Sequence, residues 1–235
     1  MNTQEHALRQ YDQELDSLRS HVMEMGGLVE SQINAAMRCL EHGDLNEIDE
    51  VIDNDHRVNH MEVVIDKNCA QVIARRQPTA NDLRLIQAIS KLVTDLERIG
   101  DEAAKIARYA SYMHERGRFF HLTDVSSVGQ AALAAVRKSL DAFTRHDVTS
   151  AQKIIDSDYK IDNKFGSIIR QLITFVMEDP RTIGVTLDYM MIAKALERIG
   201  DHAKNISEYV IYIVHGTDVR HVASSPSKGK NTDAE

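Results

Sequence analysis

Hydrophobic residues recur every three or four positions along most of this chain. In the first stretch the residues that keep this spacing are Leu8, Tyr11, Leu15, Leu18, Val22, Met25, Val29, Ala36 and Leu40. This period matches one face of an α-helix. Two similar stretches follow, so we predict helices at about residues 5–41, 45–76 and 82–115. Gly26 and Gly27 allow the first helix either to pack closely against a neighbour or to bend.

The second half of the chain repeats the first. The hexapeptide Leu-Glu-Arg-Ile-Gly-Asp occurs at residues 96–101 and again at 196–201. A weaker match aligns residues 51–55 with 154–158, which lie 103 positions further on. A six-residue identity at this distance is very improbable by chance, so the repeat indicates an internal duplication.

The duplication predicts an all-α fold of two tandem three-helix bundles with long antiparallel helices, because short connections make consecutive helices antiparallel neighbours. The helices of the second half are expected at about residues 124–146, 148–177 and 182–215. The expected division of the chain is 1–118 for the first bundle, 119–216 for the second and 217–235 for a polar, disordered tail.

Composition excludes several classes of function. The net charge of −8 argues against a nucleic-acid surface, which needs clustered lysine and arginine. The longest apolar runs are far shorter than the ~20 residues that span a bilayer, and residues 1–15 lack a signal-peptide core. Cys39 and Cys69 are therefore expected to be buried thiols in a reducing cytoplasm.

Acidic residues interrupt the apolar face of the second helix in each half. With steps of three and four, this face is Ile52, Asp55, Asn59, Glu62, Asp66, Cys69 and Ile73 in the first half. Its counterpart in the second half is Ile155, Asp158, Asp162, Phe165, Ile169, Leu172 and Val176. Such acids on a face that should be apolar are predicted to serve a site.

The third helix of each half carries a second acidic pair, supplied by the repeated hexapeptide. Its Glu and Asp are four residues apart, which places both charges on one face of a helix. The residues concerned are Glu97 and Asp101 in the first half and Glu197 and Asp201 in the second. Gly100 and Gly200 lack side chains beside these pairs, so a neighbouring helix or an ion can approach closely.

A cation explains this concentration of charge. Two unpaired charges ~4 Å apart repel by about 4 kcal/mol at an effective dielectric near 20. Oxygen ligands suit hard divalent or trivalent ions such as Mg²⁺, Mn²⁺ or Fe³⁺ better than Zn²⁺, which stays an option. We predict one metal site per bundle, with the ligands Asp55, Asn59, Glu62, Glu97 and Asp101 in the first and Asp158, Asp162, Glu197 and Asp201 in the second.

Two alternatives remain open at this point. In a metal-free helical scaffold, the acids would pair with basic residues on a solvated surface, namely Arg98, Lys105, Arg198 and Lys204. A di-iron carboxylate enzyme would need Glu-x-x-His on two helices, and the sequence contains none. We therefore expect no enzyme activity. Glu102 and His202 point away from the acidic pairs and are expected on the surface.

The sequence resembles the PhoU family, the bacterial regulators that accompany the phosphate-specific transport system. The matching segments are Met-Gly-Gly-Leu-Val-Glu at 25–30, the stretch 73–84 with its Arg-Gln-Pro-Thr turn, both hexapeptides, and 177–182. The resemblance extends from about residue 5 to residue 222. It implies two similar three-helix bundles and metal sites at Glu/Asp-x-x-x-Asp motifs, which here are Glu97/Asp101 and Glu197/Asp201.

The resemblance also implies a function. The family keeps the phosphate-starvation response off, as an adaptor between the ATPase subunit of the phosphate ABC transporter and a membrane sensor histidine kinase. The chain would then be cytoplasmic and reach the inner face of the membrane only through these partners. A homodimer is also expected, because long bundles pair along a flank, although no surface for it stands out.

Overall fold

The computed structural model describes residues 3–43, 45–117 and 123–219, and these residues form the predicted all-α fold. In chain order the helices are α1 (Thr3–His42), α2 (Leu45–Arg76), α3 (Ala80–Arg116), α4 (Thr123–Arg145), α5 (Val148–Ser157), α6 (Tyr159–Glu178) and α7 (Ile183–His215). A single 3-10 turn, Pro180–Thr182, leads into α7.

One predicted helix is divided in two. The stretch expected at 148–177 is interrupted at Asp158, between α5 and α6. Asp158 keeps helical dihedral angles, with φ −55° and ψ −41°, so the two helices follow one another closely. The expected domain boundary at 118–119 lies outside the described residues, as does nearly all of the expected tail, from residue 220 onward.

Helices α1–α3 form the first bundle and α4–α7 the second, and the two bundles pack on each other. Helix α3 packs against α7, and α1 packs against α4. The buried apolar residues form a single continuous cluster that includes Val22, Leu96 and Leu196. The burial of this shared core is the main favourable term that holds the two bundles together.

The core-facing side of α2 differs from the predicted one by one residue. Its buried apolar residues are Val51, Val58, Ile65, Cys69 and Val72. Ile52 and Ile73, which were expected at the core, are 42% and 36% exposed. Since one residue is a rotation of about 100°, the acids that share the face of Ile52 lie at the edge of the core.

Two glycines allow α1 and α4 to approach each other closely. A Cβ atom at Gly26 would lie 2.6 Å from Cδ1 of Leu140, and one at Gly129 would lie 2.5 Å from Cε of Met37. Gly26 and Gly129 are 103 positions apart and so occupy corresponding places in the two halves. A Cβ at the exposed Gly27 would meet nothing within 4 Å. Close packing of α1 against α4 therefore explains Gly26 but not Gly27.

Alanine substitutions should separate the roles of these neighbouring glycines. Gly27→Ala is expected to raise the free energy of unfolding by about 0.5–1 kcal/mol, because glycine is a poor helix former. Gly26→Ala has the same gain in helix propensity, but its methyl group forces the buried Leu140 to move. We therefore expect its free energy of unfolding to be lower than that of Gly27→Ala by at least about 1 kcal/mol. Urea unfolding of both variants measures the difference, and equal stabilities would contradict the close-packing role.

Candidate metal centres

In the first bundle, carboxylates of α2 and α3 gather at the edge of the core. Asp55 and Glu62 on α2, and Glu97 and Asp101 on α3, are all partly exposed. The pKa of Glu97 is raised, first by burial and then by repulsion from Asp101, Glu62 and Asp55. Within the described ranges, no lysine or arginine forms an ion pair with any of the four. Arg98 opposes the rise in the pKa of Glu97 without forming an ion pair, so the cluster concentrates negative charge with one cation nearby.

Gln32 of α1 joins this cluster, although the sequence interpretation did not single it out. Its side chain is fully buried. Its Nε2 donates hydrogen bonds to Oδ1 of Asp55 and to the carbonyl oxygen of Gly100, both at 3.2 Å. Its Oε1 has no hydrogen-bond partner among the described residues and lies 3.0 Å from the position that a Cβ would take at Gly100. A buried amide oxygen without a partner is uncommon and is available as a ligand atom.

The remaining predicted residue of this site, Asn59, also lies on α2 with a buried and unpartnered Oδ1. Side-chain hydroxyls of α3 hold the neighbouring acids of α2. Thr94 Oγ1 donates a hydrogen bond to Oε1 of Glu62 at 2.9 Å, and the Ser90 hydroxyl donates one to Asp66. The four predicted acids of the first site thus lie at the contact of α2 with α3, and Asn59 lies between Asp55 and Glu62 along the same side of α2.

In the second bundle the predicted ligands meet between α5, α6 and α7. One carboxylate oxygen from each of Asp158, Asp162 and Asp201 lies within 4.8 Å of the other two, which holds for no other trio of His, Cys, Asp or Glu in the described part of the chain. The pKa of Asp201 is raised, first by burial and then by Glu197, Asp158 and Asp162. The pKa of Asp162 is raised likewise by burial, Asp158 and Glu197. The fold therefore brings all four predicted residues together.

Two lysines accompany this second cluster. Lys204 Nζ donates a hydrogen bond to Oδ2 of Asp158 at 2.9 Å, and that bond is the main cause of the raised pKa of Lys204. Lys194 Nζ contacts both carboxylate oxygens of Glu197, at 2.6 and 2.8 Å. Of the cations that the metal-free alternative named, Lys204 therefore does pair with a predicted ligand, and Lys194 is a further cation that the sequence interpretation did not name.

The glycine of each hexapeptide leaves room beside the carboxylates. A Cβ placed at Gly100 would lie 3.7 Å from Oδ1 of Asp55, and one placed at Gly200 would lie 3.8 Å from Oδ1 of Asp158. A side chain at either glycine would therefore contact the acid and crowd a neighbour, namely Oε1 of Gln32 at 3.0 Å from the Cβ at Gly100 or Cδ1 of Ile161 at 2.9 Å from the Cβ at Gly200. The side chains at both clusters offer oxygen ligands, and such a set fits Mg²⁺, Mn²⁺ or Fe³⁺ better than Zn²⁺.

Glu102 and His202, which were expected on the surface, are buried between the two bundles. They are only 3% and 8% exposed, because the face of α3 that carries Glu102 packs against α7. Glu102 forms one ion pair with Arg198 at 2.8 Å and another with Lys105 at 2.9 Å. These two cations therefore do not pair with the acidic clusters in the way that the metal-free alternative would require.

A second polar group between the bundles centres on Asp95 of α3, which is 3% exposed. Its Oδ1 accepts hydrogen bonds from His202 Nδ1 at 2.7 Å and from Asn205 Nδ2 at 3.1 Å. Its Oδ2 accepts one from the Tyr209 hydroxyl at 2.7 Å. All three donors lie on α7, so this carboxylate ties the two bundles together.

The fold and its repeated acidic clusters define a duplicated helical-bundle protein with two related sites. The PhoU domain matches residues 22–110 and 125–210, one copy in each bundle. The chain therefore belongs to the PhoU family. The resemblance inferred from the sequence segments is confirmed.

Individual relatives match nearly the whole chain. The phosphate-specific transport system accessory protein PhoU homolog of Pseudomonas putida is 47% identical over 92% of this chain and 85% of its own length. The accessory protein PhoU of Escherichia coli is 43% identical over 94% and 92%, respectively. The crystal structure of PhoU from Pseudomonas aeruginosa has a TM-score of 0.86 and 45% identity, covering 88% of this chain and 100% of the other.

These comparisons also bear on the predicted class of function. The relatives are named as accessory and regulatory proteins, so the expectation that the chain is not an enzyme is confirmed. The di-iron enzyme is excluded with it. In the described ranges, none of the helices combines the length and apolar character that crossing a membrane requires.

Proposed function

We propose that this protein regulates phosphate uptake and keeps the phosphate-starvation response off when phosphate is plentiful. One observation carries the proposal. Proteins named as accessory to a phosphate-specific transport system are 43–47% identical to this chain over more than nine-tenths of its length. A crystal structure of PhoU from Pseudomonas aeruginosa, 45% identical, supports the same fold with a TM-score of 0.86.

The proposed mode of action is that of an adaptor. The chain would contact the ATPase subunit of the phosphate ABC transporter and a sensor histidine kinase of the phosphate regulon. It would act as a homodimer in the cytoplasm, at the inner face of the membrane, held there by its partners alone. The word "accessory" in the names of its relatives supports an association with the transporter.

We further propose that each bundle holds a hard metal ion at its acidic cluster. In the first bundle the ligands would come from Asp55, Asn59, Glu62, Glu97 and Asp101, with Gln32 Oε1 beside them. In the second they would come from Asp158, Asp162, Glu197 and Asp201. A bound cation would neutralise the carboxylates and link neighbouring helices of the bundle. The repetition of the cluster and the unpartnered Gln32 Oε1 support this part of the proposal.

A metal-free scaffold is the second candidate. The contacts of Lys204 with Asp158 and of Lys194 with Glu197 favour it, because these lysines already neutralise part of the second cluster. In this case the regulatory role stays the same but the acids serve only folding or partner contacts.

A reporter strain tests the regulatory role and the need for the acids. The four-acid variant carries alanine at Glu97, Asp101, Glu197 and Asp201. The surface-acid control carries alanine at the exposed residues Asp49, Asp53, Asp141 and Asp156. A strain without the gene should express a phosphate-starvation reporter in phosphate-rich medium. The wild-type chain and the control should silence the reporter, and the four-acid variant should not.

Each other outcome has a definite meaning. A reporter that stays silent without the gene would overturn the regulatory proposal. Silencing by the four-acid variant would favour the metal-free scaffold. Fractionation of the same cells tests the location, because membrane retention should be lost when the transporter is deleted. Retention that resists salt in such cells would contradict a partner-dependent location.

A further inference from the structure

We propose that Lys194 and Lys204 are built-in cations of the second cluster, so that the second bundle binds metal more weakly than the first. This inference rests on the metal-binding part of the proposed function. It makes the two sites of the duplicated fold unequal, with the first bundle filling at a lower metal concentration.

The duplication itself supplies the comparison. Position 194 corresponds to position 94 and position 204 to position 104, because the two hexapeptides are one hundred residues apart. Lys194 thus has Thr94 as its counterpart, and Lys204 has Ala104. Neither counterpart can neutralise a carboxylate. The first cluster therefore has four carboxylates and no lysine, whereas the second has four carboxylates and two lysines.

The contact of Lys204 affects metal binding because its partner carboxylate is buried. Its partner Asp158 is 8% exposed, and the ammonium group of Lys204 donates a hydrogen bond to Oδ2 of this buried carboxylate at 2.9 Å. A cation that binds to Asp158 must either displace the ammonium group or bind beside it against charge repulsion. Both routes weaken metal binding.

The first cluster differs in two respects. No three of its acids, all of which the structure describes, bring carboxylate oxygens within 4.8 Å of one another, so a cation would have to draw them together. Its unpaired polar atoms, on the other hand, are neutral oxygens. Oε1 of the fully buried Gln32 and Oδ1 of Asn59 have no hydrogen-bond partner among the described residues. Both are oxygen atoms of the kind that hard cations bind. A cation at this cluster would gain neutral ligands as well as carboxylates, and it would displace no lysine.

A titration with Mn²⁺ measures this difference, with the free ion followed by electron paramagnetic resonance. Wild-type protein should show one tight and one weak class of sites, at least about tenfold apart in dissociation constant. The double variant Glu97→Ala, Asp101→Ala should lose the tight class. Glu197→Ala, Asp201→Ala should lose the weak class.

Exchange of the lysines for their counterparts is the decisive step. The double variant Lys194→Thr, Lys204→Ala should tighten the weak class about tenfold or more and leave the tight class unchanged. Thr94→Lys should weaken the tight class. Lys194→Met, Lys204→Met keeps the aliphatic stems, so it should reproduce the tightening if loss of packing harms the first variant.

The possible results distinguish a failure of this inference from a failure of the proposed metal binding. A single class of two equivalent sites would contradict the difference in affinity between the bundles, although metal binding itself would stand. Lysine variants that leave the weak class unchanged would contradict it as well. A tight class that depends on Glu197 and Asp201 would reverse the order and overturn it as well. No Mn²⁺ binding by any variant would overturn metal binding itself and this inference with it.

Discussion

The four-acid variant is expected to contain no more metal than the buffer, whereas the wild-type protein retains metal through purification. The four residues supply the α3 and α7 side of the two clusters, and the wild-type carboxylates repel one another when no cation is present. Their removal takes away both the ligands and the repulsion that favours a cation. Elemental analysis after dialysis against metal-free buffer measures the content of both proteins.

The surface-acid control gives this experiment its specificity. It removes the same number of negative charges, but from exposed positions outside the clusters, and should retain metal like the wild type. Equal metal content in the wild type and the four-acid variant would contradict the assignment of the sites. Absence of metal from both would favour the scaffold.

Asp95→Ala is expected to lower the free energy of unfolding by about 3 kcal/mol or more. Its carboxylate is buried between the bundles and is shared by His202, Asn205 and Tyr209 of α7. The substitution removes an acceptor from three donors at once, in a place that water does not reach easily. Urea unfolding followed by circular dichroism measures the loss.

A double-mutant cycle distinguishes this network from simple loss of packing. Tyr209→Phe removes one of the donors, so the double variant Asp95→Ala, Tyr209→Phe should be more stable than the sum of the single effects predicts. Strictly additive effects would show that Asp95 and Tyr209 are not coupled. A loss below about 1 kcal/mol for Asp95→Ala would contradict its role as a link between the bundles.

The sequence predicted the fold because the spacing of apolar residues indicates where the helices lie and, to within about one residue, which side of each faces its own bundle. Leu15, Val22 and Val29, which follow this spacing in the sequence, are all buried in α1. The interruption at Asp158 could not be predicted, because this residue keeps helical dihedral angles and no proline or glycine marks the break.

The acidic clusters were predictable because the repeat revealed them twice. The face of α2 was nevertheless misplaced by one residue, since Ile52 and Ile73 also fit steps of three and four. Gln32 was missed, although its position three residues after Val29 and four before Ala36 marks it as a polar residue on a buried face. That signal was available in the sequence.

The prediction for Glu102 and His202 failed for a different reason. A helical wheel that assumes one bundle assigns every residue off the bundle face to solvent. Helix α3 has a second neighbour, α7 of the other bundle, and Glu102 lies in that contact. The periodicity of one helix cannot reveal packing between two bundles, so Asp95 was missed as well.

Anomalous scattering from crystals grown with Mn²⁺ shows where the ion binds. We expect a manganese peak beside Asp55, Glu97 and Asp101 at low metal concentration. At higher concentration we expect a second peak beside Asp158 and Asp201, with Lys204 moved away from Asp158. Manganese peaks only at other places, or no ordered manganese at any concentration, would contradict the proposed metal sites.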